Sequence, residues 1–308
     1  MFNKIFTMIL IFTLLIIFNL GILAEEELNQ ASKNQFTIVT TFTILEDFAR
    51  QVAGPGADVR VISPVAAEVH EWELTPQNFR DIEEADIIFY NGLNLEQWIK
   101  QIKAVVRPDV KVISLGKKCV YPTLPIVSGD YAGEADPHIW MDVMGAASYV
   151  KVIRDYLSES NPDVKEEYQK NAEKYISQLK ELDIYLKDII SVIPEENRTL
   201  ISSEAAFIYF ADAYGFYHDG IWGTNTEEEG APQHIMRIIQ AIEKYKPKGI
   251  FWESTGSSRY AESISSDTGL EVFGPLYVDS VDYPETANNS YINIMKANAY
   301  LLLEVLKE

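Results

Sequence analysis

A single cysteine, Cys119, in 308 residues leaves no intramolecular disulfide to hold the fold together, even if the chain is exported. Cys119 is therefore read as a small buried apolar residue rather than a reactive thiol. Histidine is almost as scarce, with four in the whole chain. Positive charge is also in deficit: 26 basic residues stand against 46 acidic ones, a formal net charge of minus 20. That balance argues against nucleic acid and anionic membrane surfaces as partners. It permits cationic ligands, although solubility alone is a sufficient explanation of it. No apolar run beyond residue 24 is long enough to cross a membrane. Nucleophile elbow, paired His-Glu zinc helix and phosphate loop are all absent, which removes the usual marks of a hydrolase.

What is present begins with an export pattern. Lys4 supplies a positive start, an apolar run extends from Ile5 to Phe18 and on through Leu23, and Ala24 precedes the acidic Glu25-Glu26-Glu27. Residues 1–24 read as a secretory signal peptide. Ile22 is larger than the small residue usual two positions before cleavage, so an uncleaved N-terminal membrane anchor is the alternative. Loss of Lys4 takes the charge from minus 20 to minus 21, and 308 minus 24 leaves 284 residues, enough for two domains each with its own core.

Short β-rich stretches then alternate with helical spacings. Strands are expected over Phe36–Thr40, Val59–Ile62, Asp86–Tyr90 and Val110–Ser114. Helices are expected over Ile44–Val52, from Pro76 with Thr75 as cap, around Leu95–Val105, and over Val143–Leu157. From Asn161 to Pro194 one uninterrupted pattern carries Val164, Tyr168, Ala172, Tyr175, Leu179, Leu182, Leu186, Ile189 and Ile193 on a single stripe. Asn161 suits the cap, Pro162 the first helical position, and Asp163 the positive end of the helix dipole. Such a helix is roughly 45 Å long at ~1.5 Å per residue, a strut able to run along two lobes, although a long stripe can also be an ordinary core helix. Beyond Pro194 the alternation restarts with strands at Thr199–Ser202, Tyr217–Trp222, Gly249–Trp252 and Glu271–Phe273, interleaved with helices up to a closing one over Asn288–Leu306. The expectation is an α/β fold of two lobes, each with a mostly parallel sheet flanked by helices. An N-terminal lobe over residues 35–160 and a C-terminal lobe over 195–308 are joined by one long rigid linker helix over 161–194.

Ligands of parallel α/β sheets bind beyond the carboxyl ends of the strands. His70 follows the second strand, His138 follows the fourth, Glu204 sits just past the first strand of the second half, and Asp279 lies after Glu271–Phe273. Two imidazoles and two carboxylates suit a first-row divalent ion, and the carboxylates cancel its two charges. Carboxylates binding through both oxygens would raise the coordination number, favouring manganese or iron(II) over tetrahedral zinc. Intrinsic affinity places zinc above manganese, so ligand type alone leaves the metal open. Spacing alone does not show that four residues so far apart converge.

Several segments carry a resemblance over essentially the whole mature chain. They are Val69-His70-Glu71-Trp72-Glu73-Leu74-Thr75-Pro76, Asp136-Pro137-His138-Ile139-Trp140-Met141-Asp142, Ser202-Ser203-Glu204-Ala205-Ala206-Phe207 with Tyr209-Phe210, Thr226-Glu227-Glu228-Glu229-Gly230, Phe251-Trp252-Glu253-Ser254 and Val278-Asp279-Ser280. The chain resembles the manganese, zinc and iron substrate-binding proteins of ABC importers, the cluster of periplasmic metal receptors that includes the streptococcal and treponemal ones. The resemblance implies metal ligands at His70, His138, Glu204 and Asp279, with glutamate at position 204 as in manganese and iron members where many zinc members have histidine. It also implies two α/β lobes joined by one helix, a monomer, no catalysis, and delivery of the metal to an ABC transporter permease. Two departures matter. The long His-rich acidic loop of many zinc receptors is absent between Gly116 and Pro137, and no cysteine stands at the mature start for lipid attachment, so a periplasmic setting is implied.

His218 and His234 read as structural, Glu253 as a hydrogen-bonded structural carboxylate able to orient a ligand, and Trp140 and Trp222 as packing. Apart from the resemblance, the Glu227–Glu229 run reads as a solvated loop. The leading function is capture of a divalent transition metal, Mn(II) first and Zn(II) or Fe(II) next, outside the inner membrane. A metal-dependent hydrolase is the alternative, disfavoured because catalytic metals usually keep an open position. An adhesin role is a third reading that no sequence feature tests. A stiff strut implies little hinge closure, and neutral imidazole ligands imply binding that weakens as pH falls through about 6.5.

Overall fold

Each half of the chain builds the same four-stranded sheet. The computed structural model describes residues 35–127, 131–223 and 232–308, with side chains from residue 235 in the last span, and Thr37–Glu308 form one compact unit. The first sheet contains β1 (Phe36–Thr40), β2 (Ala57–Val61), β3 (Ile87–Tyr90) and β4 (Lys111–Ser114) in the order β2-β1-β3-β4. The second contains β5 (Thr199–Glu204), β6 (Tyr217–Trp222), β7 (Ile250–Glu253) and β8 (Val272–Leu276) in the order β6-β5-β7-β8. Ile38 lies opposite Ile87 and Ile201 opposite Ile250 in parallel register. Strands covered on both faces must be apolar throughout, and β3 reads Ile-Ile-Phe-Tyr with every residue buried.

The helices bury the faces their spacing exposes to the sheets. Helix Thr43–Ala53 turns Ile44, Leu45, Phe48, Ala49 and Val52 inward. Helix Pro76–Glu84 is capped by Thr75, whose side chain accepts from the Asn78 N–H while Asn78 accepts from the Thr75 N–H. Val39, Ile82, Ile88 and Ile102 centre one core, and Ile201, Ile221, Ile238 and Ile250 the other.

The long helix runs Lys165–Ser191 and buries Tyr168, Ala172, Tyr175, Leu179, Leu182, Leu186 and Ile190. It packs on helices Thr43–Ala53 and Val143–Ser160 from the first half and on the closing helix Tyr291–Leu306 from the second. Its start differs from the expected Asn161 cap. Asn161 instead ends the preceding helix, its N–H bonded to the Leu157 carbonyl, and Pro162–Val164 form a 3-10 turn. The Asn161 side chain donates to the Tyr168 hydroxyl at 3.2 Å, so it ties the corner rather than capping the strut.

Two other boundaries move for visible reasons. The helix expected from Leu95 begins at Ile99 because Leu93 and Asn94 adopt left-handed backbone, φ 55° and 64°. The strand expected to end at Ser202 continues through Glu204, and the next helix begins at Ile208. Cys119 is half-buried rather than buried, with its Sγ 3.5 Å from the Gly116 carbonyl, and burial raises its thiol pKa.

The helix Val143–Ser160 approaches the 3-10 turn Ile139–Met141 so closely that a Cβ on Gly145 would lie 2.2 Å from the Ile139 carbonyl oxygen. Gly145→Ala should therefore destabilise the fold by about 1–3 kcal/mol despite its better helix propensity, read as a lowered urea midpoint. An unchanged or raised midpoint would show that the turn yields freely.

Candidate metal centre

Both sheets reverse their strand order next to their first strand, and their carboxyl ends deliver the four expected residues to one place. His70 lies on the connection between β2 and helix Pro76–Glu84, and His138 immediately precedes the turn Ile139–Met141. Glu204 is the last residue of β5, and Asp279 lies in the connection after β8. All four are buried, and one donor atom from each lies within 4.8 Å of the others. His70 Nε2 is 3.4 Å from Glu204 Oε1 and 4.0 Å from an Asp279 oxygen, Oδ2. His138 Nε2 is 3.8 Å from both Glu204 Oε1 and Asp279 Oδ1.

These contacts are close yet are not hydrogen bonds. His70 Nδ1 and Nε2, His138 Nε2, Glu204 Oε1 and Asp279 Oδ1 are buried without a hydrogen-bond partner among the described residues. Buried polar atoms are rarely left so, because each forfeits its hydration. An ion about 2.1 Å from each donor would require donors roughly 3–4 Å apart, and the imidazole–carboxylate separations, 3.4 to 4.0 Å, fall in that range.

The supporting contacts explain why the rings stand where they do. Asp136 Oδ1 accepts from the His138 N–H at 2.9 Å and lies 3.1 Å from His138 Nδ1. A proton on Nδ1 shared with this carboxylate leaves the Nε2 lone pair facing the cleft. The His70 backbone is gripped on three sides: its N–H donates to Glu68 at 2.9 Å, its carbonyl accepts from Gln97 at 3.3 Å, and the Val69 carbonyl accepts from Trp98 Nε1 at 2.7 Å. The Glu204 N–H donates to the Glu253 carboxylate, 3.2 Å from Oε1 and 3.3 Å from Oε2. Glu253 is thus both hydrogen-bonded and orienting.

The Asn91-Gly92 turn does more than its composition suggests. Glu96 accepts from the Asn91 N–H, the Gly92 N–H and the Thr41 hydroxyl, 2.7 to 2.9 Å away, while Asn91 Nδ2 donates to the Pro137 carbonyl at 3.0 Å. The segment Asn91–Trp98 therefore holds both histidine loops. Sequence reasoning missed Asn91, Glu96 and Trp98; the available signal was an acid between the apolar Leu95 and Trp98.

His218 lies behind the site. The Ser202 hydroxyl donates to the Glu204 carbonyl at 2.6 Å, so His218 Nε2, 2.9 Å away, must donate to Ser202 Oγ. Burial lowers the His218 pKa to about 3, keeping it neutral and structural. Trp140 packs on Phe42 and His138, and its Nε1 also donates to the Val278 carbonyl beside Asp279 at 2.9 Å. Trp222 packs edge-on to Tyr260. The His234 side chain and the Glu227–Glu229 run lie outside the described residues.

Burial by itself would lower the His70 pKa, but Glu204, Glu68 and Asp279 outweigh it and raise the ring to about 10. His138 is raised in the same sense, burial being overcome by Asp136, Glu204 and Asp279. Burial raises Asp279 to about 7 against the pull of His138, and raises Glu253 to about 8, assisted by Glu204. Without a cation the cleft therefore holds protons well above the ordinary histidine range. The competition expected below about pH 6.5 from unperturbed imidazole moves upward.

Glu253 supplies a test of this electrostatic picture. Its folded pKa near 8 exceeds the ordinary 4.5, so its protonation supports the metal-free fold fully below pH 4.5 and that support is lost as pH rises through about 8. Glu253→Gln keeps an acceptor for the Glu204 N–H and removes the titration. Metal-free wild type should therefore lose stability relative to this variant between about pH 5 and 8.5 in urea denaturation. A constant difference would contradict the buried, proton-holding carboxyl.

Comparison with known proteins agrees with this architecture. Residues 38–305 match the model of the ZnuA family, zinc-uptake complex component A, periplasmic. The chain is 36% identical over 278 residues to the manganese-binding lipoprotein MntA of Halalkalibacterium halodurans, covering 90% of this chain and 91% of that one. It is 38% identical over 275 residues to the iron-binding protein YfeA of Yersinia pestis, covering 89% and 86%. Among solved structures, the periplasmic zinc-binding protein TroA of Treponema pallidum superposes with a TM-score of 0.82 at 25% identity, covering 89% of this chain and 99% of that one. The manganese-bound periplasmic metal-binding protein of Candidatus Liberibacter asiaticus superposes with a TM-score of 0.80 at 25% identity, covering 88% and 100%.

Proposed function

The chain belongs to the ZnuA family of metal-binding, ABC-transporter substrate-binding proteins, and from that premise we propose that it captures Mn(II) between its lobes. His70 Nε2, His138 Nε2 and the carboxylates of Glu204 and Asp279 are the ligands of this reading. The ion is cargo, held and then passed to the membrane permease of the importer, with no bond made or broken in it. Binding takes place outside the inner membrane, by a monomer whose residues 1–24 serve as the export signal.

One observation carries the choice of metal: position 204 presents a carboxylate, whose Oε1 stands 3.4 and 3.8 Å from the two imidazole Nε2 atoms. Two carboxylates cancel the charge of a divalent ion in a buried site, and their spare oxygens allow more than four donors. Manganese uses such a sphere, whereas zinc is satisfied by four. Iron(II) is the second reading, favoured by the likeness to a relative named as iron-binding. Four buried protein ligands also leave no open position for the activated water of a hydrolase.

Ligation must displace the protons that the cleft holds. Because the metal-free site carries more protons than the loaded one, affinity should rise with pH across about 6 to 8.5. Calorimetric titration of the metal-free chain with Mn(II), in two buffers of different ionisation enthalpy, should show one site and net proton release. His138→Ala should weaken it by at least about 100-fold, roughly 2.7 kcal/mol. Zinc binding with no manganese binding would overturn the metal assignment, and the absence of a tight site for either would overturn the ligand set.

A further inference from the structure

Asp279 is held in place from the opposite lobe. Its neighbour Ser280, only 2% exposed, sits at the centre of a four-bond node. Ser280 Oγ accepts from the Ala66 N–H at 2.9 Å and from the Thr43 hydroxyl at 3.3 Å, and it donates to the Val281 carbonyl at 2.6 Å. Thr43 Oγ1 in turn accepts from the Val281 N–H at 3.0 Å. Each proton in the set is donated once, and Ser280 Oγ accepts through both of its lone pairs, so all four directions are consistent. Thr43 opens the first helix after β1, and Ala66 lies on the loop that carries His70. The node thus joins two elements of the first lobe to the second, across 214 and 237 residues of chain.

Ala66 adds a conformational argument. Its φ of 62° is left-handed, which costs a residue with a Cβ about 1–2 kcal/mol. The backbone is kept there by the turn in which the Ala67 N–H bonds the Pro64 carbonyl and by the Ala66 N–H bond to Ser280. Four residues further along stands His70, so the same hydroxyl governs the loops of two ligands.

We propose that Ser280 is a positioning residue that locks the Asp279 carboxylate against the His70 loop, slowing metal release and favouring manganese over zinc. The inference rests on the metal-capture reading above. The orientation of Asp279 is what makes the preference follow. Its Oδ2 faces His70 and its Oδ1 faces His138, 4.0 and 3.8 Å from the respective Nε2 atoms, so both oxygens look into the space between the imidazoles. An ion with more than four donors uses both oxygens and depends on that orientation; a four-coordinate ion needs only one. Loosening the lock therefore penalises manganese more than zinc.

The test is metal release from the loaded full chain into excess chelator by stopped flow, with Mn(II) and separately Zn(II), for wild type, Ser280→Ala, Thr43→Val and the double variant. Ser280→Ala should release manganese about tenfold faster and zinc less than about threefold faster, reducing the Mn-to-Zn affinity ratio. Thr43→Val removes a hydroxyl from the opposite lobe at nearly constant volume. It should move both rates in the same direction, and the double variant should fall short of the sum because the residues share one node. Metal-free melting temperatures identify a variant that fails to fold, in which case the other carries the test. Equal acceleration for both metals, or full additivity, would overturn the inference while leaving the binding function intact. A wild type that holds neither metal would overturn the function itself.

Discussion

Two carboxylates and two imidazoles face one another within 4.8 Å in a buried cleft, and five of their polar atoms find no hydrogen-bond partner among the described residues. Protein interiors satisfy their polar groups because desolvation without compensation costs several kcal/mol each. Here Glu204 and Asp279 repel each other when both are ionised, and the Nε2 atoms of the two rings have no hydrogen-bond partner among the described residues. A divalent cation would offset both carboxylate charges and serve as a Lewis acid for one donor atom from each of the four side chains. The rest of the chain holds the four groups in that otherwise unfavourable proximity.

The means are distributed in a regular way. Each sheet has the same strand order and contributes two of the four clustered side chains, so the cluster forms only where the carboxyl ends of both sheets meet. Trp140, next to one imidazole, reaches the Val278 carbonyl beside Asp279, and the Tyr291 hydroxyl donates to the Trp140 carbonyl at 2.6 Å. Tyr209 accepts from the Leu124 N–H and donates to the Asp136 carbonyl, tying the second lobe to the loop that aims His138. Asp47 accepts from the Tyr291 N–H at 2.8 Å and from Tyr175 on the long helix at 3.4 Å, so that one carboxylate joins both lobes to the strut. The segments bearing His70, His138 and Asp279 are therefore fastened to the opposite lobe as well as to their own, while Glu204 is held within its own by Glu253.

Much of this was legible in the residues. Strand and helix periods located the eight strands of the described residues to within a few residues, because strands such as β3 are short apolar runs and Thr75-Pro76 is a strong helix start. The rule that ligands gather at carboxyl ends singled out His70, His138, Glu204 and Asp279, and the resemblance of their flanking motifs reinforced it. Convergence itself was not legible, since no local pattern brings residues 70 and 279 together. Nor were the contacts that aim them. The sequence does not show the three donors that Glu96 accepts from, nor that Ala66 and Thr43 lie against Ser280. The start of the long helix was misread because Asn161 serves the helix before it, a competition between two adjacent helix ends that composition does not resolve.

The proposed function requires that these four side chains share a single manganese ion. Anomalous diffraction at the manganese edge, from crystals of the chain loaded with Mn(II), measures it directly. One peak is expected, within bonding distance of His70 Nε2, His138 Nε2 and oxygens of both Glu204 and Asp279. A peak elsewhere, or one that leaves either carboxylate unbound, would contradict it.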